Sequence, residues 1–137
     1  MPAPSIISVI DDDASVRLAT NNLLTSRGYT VYTFGSAHEF LQSAELETTS
    51  CVIADVQMSV MSGVELLTHL RGLGRITPFI FMTAFPDEAV RDRALKAGAS
   101  CFLAKPFSTP ALLQCLEAAL SARRQTLKRY VTSTVSR

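Results

Sequence analysis

The feature that most limits how this chain can fold is a regular alternation of short apolar runs with segments of helical periodicity. Five such runs recur along the 137-residue sequence, at residues 6–10, 29–34, 51–54, 79–82 and 101–104. After each run, apolar residues return three and four positions apart, which indicates a helix. Several runs are apolar almost throughout, as expected of strands with both faces covered. The sequence therefore predicts five strand–helix units that form one parallel sheet.

This pattern also predicts where ligands bind. Right-handed crossovers between parallel strands place helices on both faces, which gives a doubly wound α/β fold. In an open sheet of this kind, ligands bind at the carboxyl ends of the strands. The residues that directly follow the apolar runs are therefore the first candidates for chemistry. The periodicity by itself does not reveal the order of the strands.

Composition narrows the class of protein. Hydrophobic residues make up 47% and charged residues 18% of the chain, which argues against disorder, and the net charge of +1 argues against a general affinity for nucleic acid or anionic membranes. No apolar stretch reaches the length of a membrane span, and residues 1–4 do not resemble a signal peptide. We therefore expect a cytoplasmic protein without membrane association.

The predicted organisation is one domain with two short ends. Residues 1–4 form an N-terminal extension, residues 5–122 the domain, and residues 123–137 a basic tail or the stub of a linker. A solvated helix end is a more common role for such a basic run than a nucleic-acid patch.

The cysteines and histidines carry no evident function in the sequence. Cys51, Cys101 and Cys115 lack metal-ligand spacing, so we expect three reduced and mostly buried thiols. His38 and His69 lie in predicted helices, and we expect both to be exposed or partly packed.

Acidic residues follow two of the apolar runs. Asp11, Asp12 and Asp13 come after the first run, and Asp55 ends the third. Carboxylates brought together at one sheet edge repel each other, so at least one pKa should rise, and a hard divalent cation such as Mg²⁺ would relieve the repulsion. Capping of the next helix is the simpler role for Asp13. It fits Asp55 poorly, because the next predicted helix starts several residues later.

The fourth and fifth runs end in groups that suit a phosphate. Thr83 offers a hydroxyl, and Lys105 a compact cation next to Pro106. A hydroxyl at a strand end more often bonds the local backbone, and a lysine is more often simply exposed. The Lys105–Pro106 bond is a candidate cis peptide, which would fix the approach of the lysine.

Together these residues resemble the receiver domain of two-component response regulators. The resemblance covers residues 6–120 and, within the family, is closest to receivers of nitrogen-fixation-type transcriptional regulators. It rests on six segments: Val9-Ile10-Asp11-Asp12-Asp13, Ala54-Asp55, Met61-Ser62-Gly63-Val64-Glu65-Leu66-Leu67, Met82-Thr83-Ala84, Ala97-Gly98-Ala99 and Lys105-Pro106-Phe107.

The resemblance implies a fold and a reaction. It implies a flavodoxin-like sheet of strand order 2-1-3-4-5, and a phosphoryl group that Asp55 accepts from a histidine of a sensor kinase. Mg²⁺ or Mn²⁺ would be held by Asp11, Asp12, Asp55 and the backbone carbonyl of Gln57. Lys105 and Thr83 would contact the phosphoryl group.

The resemblance also implies a switch. Thr83 would move to the phosphate and Phe102 would turn inward with it, although plain core packing explains Phe102 about as well. The altered surface would bind a partner or a second copy of the chain, as a phosphorylation-dependent homodimer. Without a helix-turn-helix segment after residue 120, we expect no direct nucleic-acid contact from this domain and an output domain outside this chain.

Several residues near the site depart from the family pattern or vary within it. Ser59 stands where the family usually has proline, which predicts a more mobile loop, and Val60 takes a place that is often acidic. Gln57 and Phe85 lie where the family varies its rate of dephosphorylation. We hypothesise that Phe85 shields the phosphorylated Asp55 from water, whereas Gln57 could orient a water.

Other functions use similar residues. An Mg²⁺-dependent phosphohydrolase with an aspartate nucleophile would need an acid–base group two residues past Asp55, where this chain has Gln57. A stand-alone receiver that acts only through protein–protein contacts is a second alternative. A nucleotide-binding fold is weaker, because no glycine-rich loop follows the first strand.

Overall fold

A computed structural model describes the backbone of residues 5–135 and the side chains of residues 5–127. The predicted N-terminal extension, residues 1–4, lies outside this range. The strands are β1 (Ile6–Ile10), β2 (Thr30–Phe34), β3 (Cys51–Asp55), β4 (Phe79–Thr83) and β5 (Cys101–Ala104). The helices are α1 (Ala14–Ser26), α2 (Ala37–Leu41), α3 (Gly63–Gly72), α4 (Glu88–Lys96) and α5 (Thr109–Val135).

The five strands form one parallel sheet of order β2-β1-β3-β4-β5, which confirms the order implied by the resemblance. In the register of the central strands, Ile10 lies beside Ala54 and Asp55 beside Met82. At the next pair, Thr83 lies beside Ala104. The residues that end β1, β3, β4 and β5 therefore lie along one edge of the sheet.

Two apolar layers cover the sheet, one on each face. Alternate strand residues such as Ile10, Ala54 and Phe81 pack with α2, α3 and α4. The residues between them, such as Val9 and Ile53, pack with α1 and α5. All five residues of β3 and of β4 are buried, as expected of central strands in a doubly wound fold.

Side-chain caps start the helices close to where the sequence predicts them. The Ser62 hydroxyl and the Glu65 carboxylate form a full capping box at α3. At the start of α2, only half of a capping box forms. Ser36 caps Glu39 N–H, but the Glu39 carboxylate accepts from Gly35 N–H instead of the Ser36 N–H. The carboxylate thereby holds the turn between β2 and α2.

Two further details differ from the expectation. A short 3₁₀ turn, Ala44–Leu46, lies before β3 in addition to the predicted strand–helix units. Helix α5 has 27 residues and continues to Val135, through the basic segment that starts at residue 123. The apolar positions that pack α5 against the sheet end at Leu120, so they do not predict the length of the helix. Among the helices described, none is both long and apolar enough to cross a membrane.

The expectation of three reduced cysteines was wrong for two of them. Cys101, at the start of β5, forms a disulfide with Cys115 on α5, and their Cα atoms lie 6.0 Å apart. Helix α5 packs back beside β5, so the fold brings together two residues 14 positions apart. Such a pair has no spacing motif in the sequence. Cys51 is a free thiol, and it is buried as predicted.

Candidate functional site

Four polar side chains lie at the carboxyl edge of the sheet, although most of the residues around them are apolar and buried. Asp11 follows β1, Asp55 ends β3, Thr83 ends β4 and Lys105 follows β5. Asp11 and Thr83 are fully buried, and Asp55 is 7% exposed. The lysine side chain is also mostly buried, at 15% exposure. Buried charges of this kind require close partners.

Lys105 supplies the partner for both buried carboxylates. Its Nζ lies 2.7 Å from Asp11 Oδ2 and 2.6 Å from Asp55 Oδ2. These are short charge-assisted hydrogen bonds. Lys105 therefore lies between the two carboxylates. It is not the exposed surface lysine that the sequence analysis gave as the more common case.

The other oxygen of each carboxylate is held by the backbone. Asp11 Oδ1 accepts from the N–H of Asp13 at 2.9 Å, and Asp55 Oδ1 accepts from the N–H of Gln57 at 2.7 Å. Both donors lie two residues after the acid, so each loop folds around its own carboxylate. The two acids therefore reach the site in fixed orientations.

The ionisation of Asp55 is shifted by this environment. Burial raises the pKa of Asp55, while hydrogen bonds from Lys105 and Gln57 N–H oppose the rise, and the Asp11 charge adds a smaller upward effect. Burial is thus a larger cause than the repulsion that the sequence suggested. For Lys105, burial favours the neutral form, but the hydrogen bonds and charges of Asp11 and Asp55 outweigh it, and its pKa is raised.

The acidic cluster fits a hard divalent cation. One oxygen from each of Asp11, Asp12 and Asp55 lies within 4.8 Å of the others. Asp12 is exposed, so it lies at the open side of the cluster. Oxygen ligands with room for water are the set that Mg²⁺ prefers. The Gln57 side chain is exposed, and its N–H is the group that contacts Asp55.

Asp13 takes the simpler of its two roles. Its carboxylate accepts from the Ser15 N–H at 2.9 Å and from the Ser15 hydroxyl at 2.6 Å, which caps α1. The hydrogen bonds with Ser15 lower its pKa. Asp13 is therefore a helix cap, and its backbone N–H donates to the Asp11 carboxylate.

Thr83 and the two phenylalanines lie around the cluster without joining it. Thr83 Oγ1 accepts from the backbone N–H of Phe85 at 3.1 Å, the local bond of the simpler interpretation. The Phe85 side chain is 70% exposed. Phe102 lies on β5 beside Phe81 and is partly buried against the core. Phe85 is thus largely in solvent in this arrangement, and its shielding of Asp55 stays a prediction.

The loop after β5 fixes the lysine from the backbone side. The N–H of Lys105 donates to the Thr83 carbonyl at 2.7 Å, and the Lys105–Pro106 peptide is cis. The histidines lie elsewhere: His38 and His69 are both exposed on helices, as expected.

Two residues of the site were missed by the sequence reasoning. Arg17 Nη1 donates to the backbone carbonyl of Asp11 at 2.5 Å and so ties α1 to the acidic loop. Gly63 leaves space for the backbone, since a Cβ there would lie 2.5 Å from the Asp55 carbonyl and 2.8 Å from Phe81 Cε1. The sequence does contain a signal for Arg17, because a basic residue stands one turn into the helix that follows the three aspartates. Gly63 was noted only as part of a segment that carries the family resemblance.

The loop between β3 and α3 contains an unusual backbone conformation. Val60 has φ of 70° and a fully exposed side chain. A β-branched residue is strained there, because its Cβ crowds the following carbonyl. Val60 follows Ser59, the residue at which the sequence analysis places a departure from the pattern that the chain resembles.

Comparison with known proteins assigns the family. The response regulator receiver domain family matches residues 7–117. Nodulation protein W of Bradyrhizobium diazoefficiens is 40% identical over 121 residues, which are 88% of this chain and 53% of that protein. Transcriptional regulatory protein FixJ of the same organism is 38% identical over 114 residues, 83% of this chain and 56% of that protein. The chain thus spans about half the length of these relatives.

A solved structure shows the same fold. The response regulator StyR is 39% identical and superposes with a TM-score of 0.87 over 96% of this chain and 67% of that one. The matched relatives are regulators and not metabolic enzymes. This chain belongs to the response regulator receiver domain family.

Proposed function

We propose that Asp55 accepts a phosphoryl group from a histidine of a sensor kinase, and that this modification switches a surface for a partner. The observation that carries the proposal is the position of Lys105 Nζ, within 2.7 Å of both Asp11 and Asp55. A cation buried between two acids at the ligand-binding edge of the sheet suits phosphoryl transfer, in which the protein mainly positions groups and neutralises charge.

The transfer uses the ionised form of Asp55. A carboxylate oxygen of Asp55 attacks phosphorus, the bond from phosphorus to the kinase histidine nitrogen breaks, and an acyl phosphate forms. The nitrogen keeps the electron pair of the broken bond. Gln57 N–H holds Asp55 Oδ1 at 2.7 Å, so the acid is oriented before the phosphoryl group arrives.

A divalent cation completes the charge balance. Asp11, Asp12, Asp55 and the backbone carbonyl of Gln57 would hold Mg²⁺ or Mn²⁺, which supplies positive charge that the transferring oxygens require. Lys105 then exchanges its contact with Asp55 for a phosphoryl oxygen. Its contact with Asp11 keeps it in place during the exchange.

The switch starts at Thr83. Its hydroxyl proton is free to donate to a phosphoryl oxygen, and this movement breaks its bond with Phe85 N–H. Phe102 lies on the neighbouring strand and is only partly buried, so it has room to follow. Phosphorylation would thereby shift the population toward a second arrangement of Thr83, Phe102, α4, β5 and α5.

The proposed setting is a cytoplasmic regulator. Residues 5–122 would act as the receiver, and residues 123–137 as a basic tail or the stub of a linker toward an output domain outside this chain. Phosphorylation would control transcription through that domain, with a homodimer as one form of the switched state. The receiver itself would make no direct contact with nucleic acid or membrane.

Gln57 argues against a phosphohydrolase. Gln57 lies two positions after Asp55, and its side chain is not titratable. Its backbone N–H is already bonded to Asp55. It therefore cannot act as the acid or base that ester turnover needs.

Variants of Lys105 test the proposal. With acetyl phosphate and Mg²⁺, we expect the wild-type chain to gain one phosphoryl group by intact mass, and Asp55→Asn to gain none. Lys105→Ala should slow the gain by roughly 100-fold, the scale of one lost electrostatic donor. Lys96→Ala, at an exposed position on α4, is the matched control and should react normally. Equal rates in the two lysine variants would contradict the proposal.

A further inference from the structure

The disulfide between Cys101 and Cys115 encloses the part of the chain that operates the site. Cys101 begins β5 and Cys115 lies on α5, with 14 positions between them. The enclosed segment contains Lys105, which holds Asp11 and Asp55, and the partly buried Phe102. A covalent bond across this segment limits how far β5 and α5 can move relative to each other.

The two cysteines are accessible in a way that the third is not. Cys101 and Cys115 are both partly exposed at the edge of the core. Cys51 is fully buried, and burial raises its pKa to about 12, so its reactive thiolate is suppressed. The chain thus has one pair open to thiol exchange and one inert thiol that serves as an internal reference.

A disulfide in a cytoplasmic protein is unusual unless it is transient or redox-sensing. We propose that Cys101 and Cys115 form a reversible thiol–disulfide site that restrains the phosphorylation switch when oxidised. The coupling to phosphorylation rests on the proposed function, and so does the cytoplasmic setting, whereas the test of the reversible bond depends on neither.

The exchange needs a dithiol. One thiolate of the dithiol attacks a sulfur of the Cys101–Cys115 bond, forms a mixed disulfide and releases the other cysteine as a thiolate. The second thiolate of the dithiol then displaces the remaining cysteine. Two electrons and two protons pass to the cysteine pair, and the dithiol becomes a disulfide. Oxidised glutathione reverses the reaction and is itself reduced to two thiols.

The restraint acts on the groups that must move. In the proposed switch, Lys105 leaves Asp55 for the phosphoryl group, and Phe102 follows Thr83. Both residues lie between the linked cysteines, and Lys105 is also fixed by its N–H bond to the Thr83 carbonyl. Opening the disulfide releases Cys101 at the start of β5, while the hydrogen bond from Lys105 N–H to the Thr83 carbonyl stays at its end. The reduced chain should therefore reach the switched arrangement more easily.

Alkylation tests the bond alone. Purified without reductant and labelled with iodoacetamide in denaturant, the chain should gain one label, and after dithiothreitol it should gain three. In the native reduced protein, peptide mapping should find labels at Cys101 and Cys115 and none at Cys51. Oxidised glutathione added to the reduced, unlabelled protein should restore the single-label state when the chain is labelled afterwards in denaturant. Three labels without reductant, or a bond that dithiothreitol opens only in denaturant, would overturn the reversible site.

Binding of beryllofluoride, a phosphoryl mimic, tests the coupling. With Mg²⁺, we expect the reduced chain to bind it about fivefold more tightly than the oxidised chain, a modest allosteric coupling. Because coupling is reciprocal, beryllofluoride should favour opening of the disulfide by the same factor. The double variant Cys101→Ser with Cys115→Ser is the control, and dithiothreitol should not change its affinity.

The outcomes separate the two proposals. Equal affinities in the oxidised and reduced chains would overturn the coupling. No binding in either state would overturn the proposed function and the coupling with it, while the alkylation would still decide whether the bond is reversible.

Discussion

Lys105 Nζ lies 2.6 Å from Asp55 Oδ2, so the proposed phosphoacceptor is already paired with a cation in the resting protein. The same ammonium group contacts Asp11 at 2.7 Å. The two ion pairs offset the desolvation cost of burying two carboxylates in a largely apolar interior. It also places the lysine where a phosphoryl group on Asp55 would arrive.

Asp55→Asn should stabilise the protein at neutral pH when metal is chelated. Burial raises the pKa of Asp55, so its ionised form is unfavourable in the folded state. The asparagine removes this charge, and Lys105 keeps Asp11 as its partner. Because the site is open to solvent on one side, we expect a gain of only about 1 kcal/mol in the free energy of unfolding. Urea denaturation measures it.

The pH dependence of that gain follows from the sign of the shift. A raised folded-state pKa means that protonated Asp55 supports folding below its unfolded pKa, and that this support is lost as pH rises through the folded pKa. The advantage of the asparagine should therefore shrink as pH falls. Asp12→Asn, at an exposed position, is the control and should change little. An advantage that grew on acidification would contradict this reasoning.

Arg17→Ala should weaken binding of Mg²⁺. The guanidinium holds the Asp11 carbonyl and so fixes the loop that carries Asp11 and Asp12. Loss of such a supporting group commonly costs about tenfold in metal affinity. Arg17→Lys should recover part of the loss, since one donor remains. Calorimetric titration with Mg²⁺ measures it, and Arg27→Ala, which removes an exposed charge, is the control. Because removal of a positive charge by itself favours a cation, an Arg17→Ala variant that binds Mg²⁺ as tightly as Arg27→Ala would contradict the supporting role of Arg17.

Phe85→Ala should shorten the lifetime of the phosphorylated chain several-fold. In the resting structure the ring is 70% exposed, and its backbone N–H is tied to Thr83. When Thr83 turns to the phosphate, residue 85 is released, and we expect the ring to cover the acyl phosphate. Loss of phosphate after removal of the donor measures this. Leu73→Ala removes another exposed apolar side chain away from the site and should have no effect. An unchanged rate in Phe85→Ala would rule out the shielding.

Val60→Asn should stabilise the protein. Val60 has φ of 70°, a conformation that asparagine adopts with much less strain than valine. The side chain is fully exposed, so the substitution removes no packing. We expect a gain of about 1 kcal/mol by urea denaturation. Ser59→Ala tests whether any change in this loop has the same effect, and it should be neutral. A loss of stability in Val60→Asn would show that the valine makes a contact that offsets its strain.

The fold was predictable because its signals are local and repeated. The apolar runs of β3 and β4 are buried on both faces, and caps such as Ser62 act within one turn of a helix. The order of the strands is not local. It came from the family resemblance, because periodicity in β1 says nothing about whether β3 is its neighbour.

The site was predictable in its residues but less so in its contacts. Asp11, Asp55, Thr83 and Lys105 each end or follow a strand, so the parallel sheet brings them to one edge. The contact of Lys105 with both acids depends on side-chain reach across β5, β4, β3 and β1, which no sequence pattern encodes.

The disulfide is a second contact that the sequence alone does not predict. Cys101 and Cys115 have no motif, and their pairing follows only from how α5 returns to β5. Arg17 was missed for a related reason, because its partner is a backbone carbonyl that any residue could supply. Tertiary contacts that use common groups leave little trace in a single sequence.

Peptide mapping by mass spectrometry after treatment with acetyl phosphate tests the central claim most directly. With Mg²⁺ present, we expect one phosphoryl group, on Asp55, and with the metal chelated we expect a large loss of product. An adduct that forms equally well without metal, or that maps to a residue other than Asp55, would contradict the proposed role of the acidic cluster.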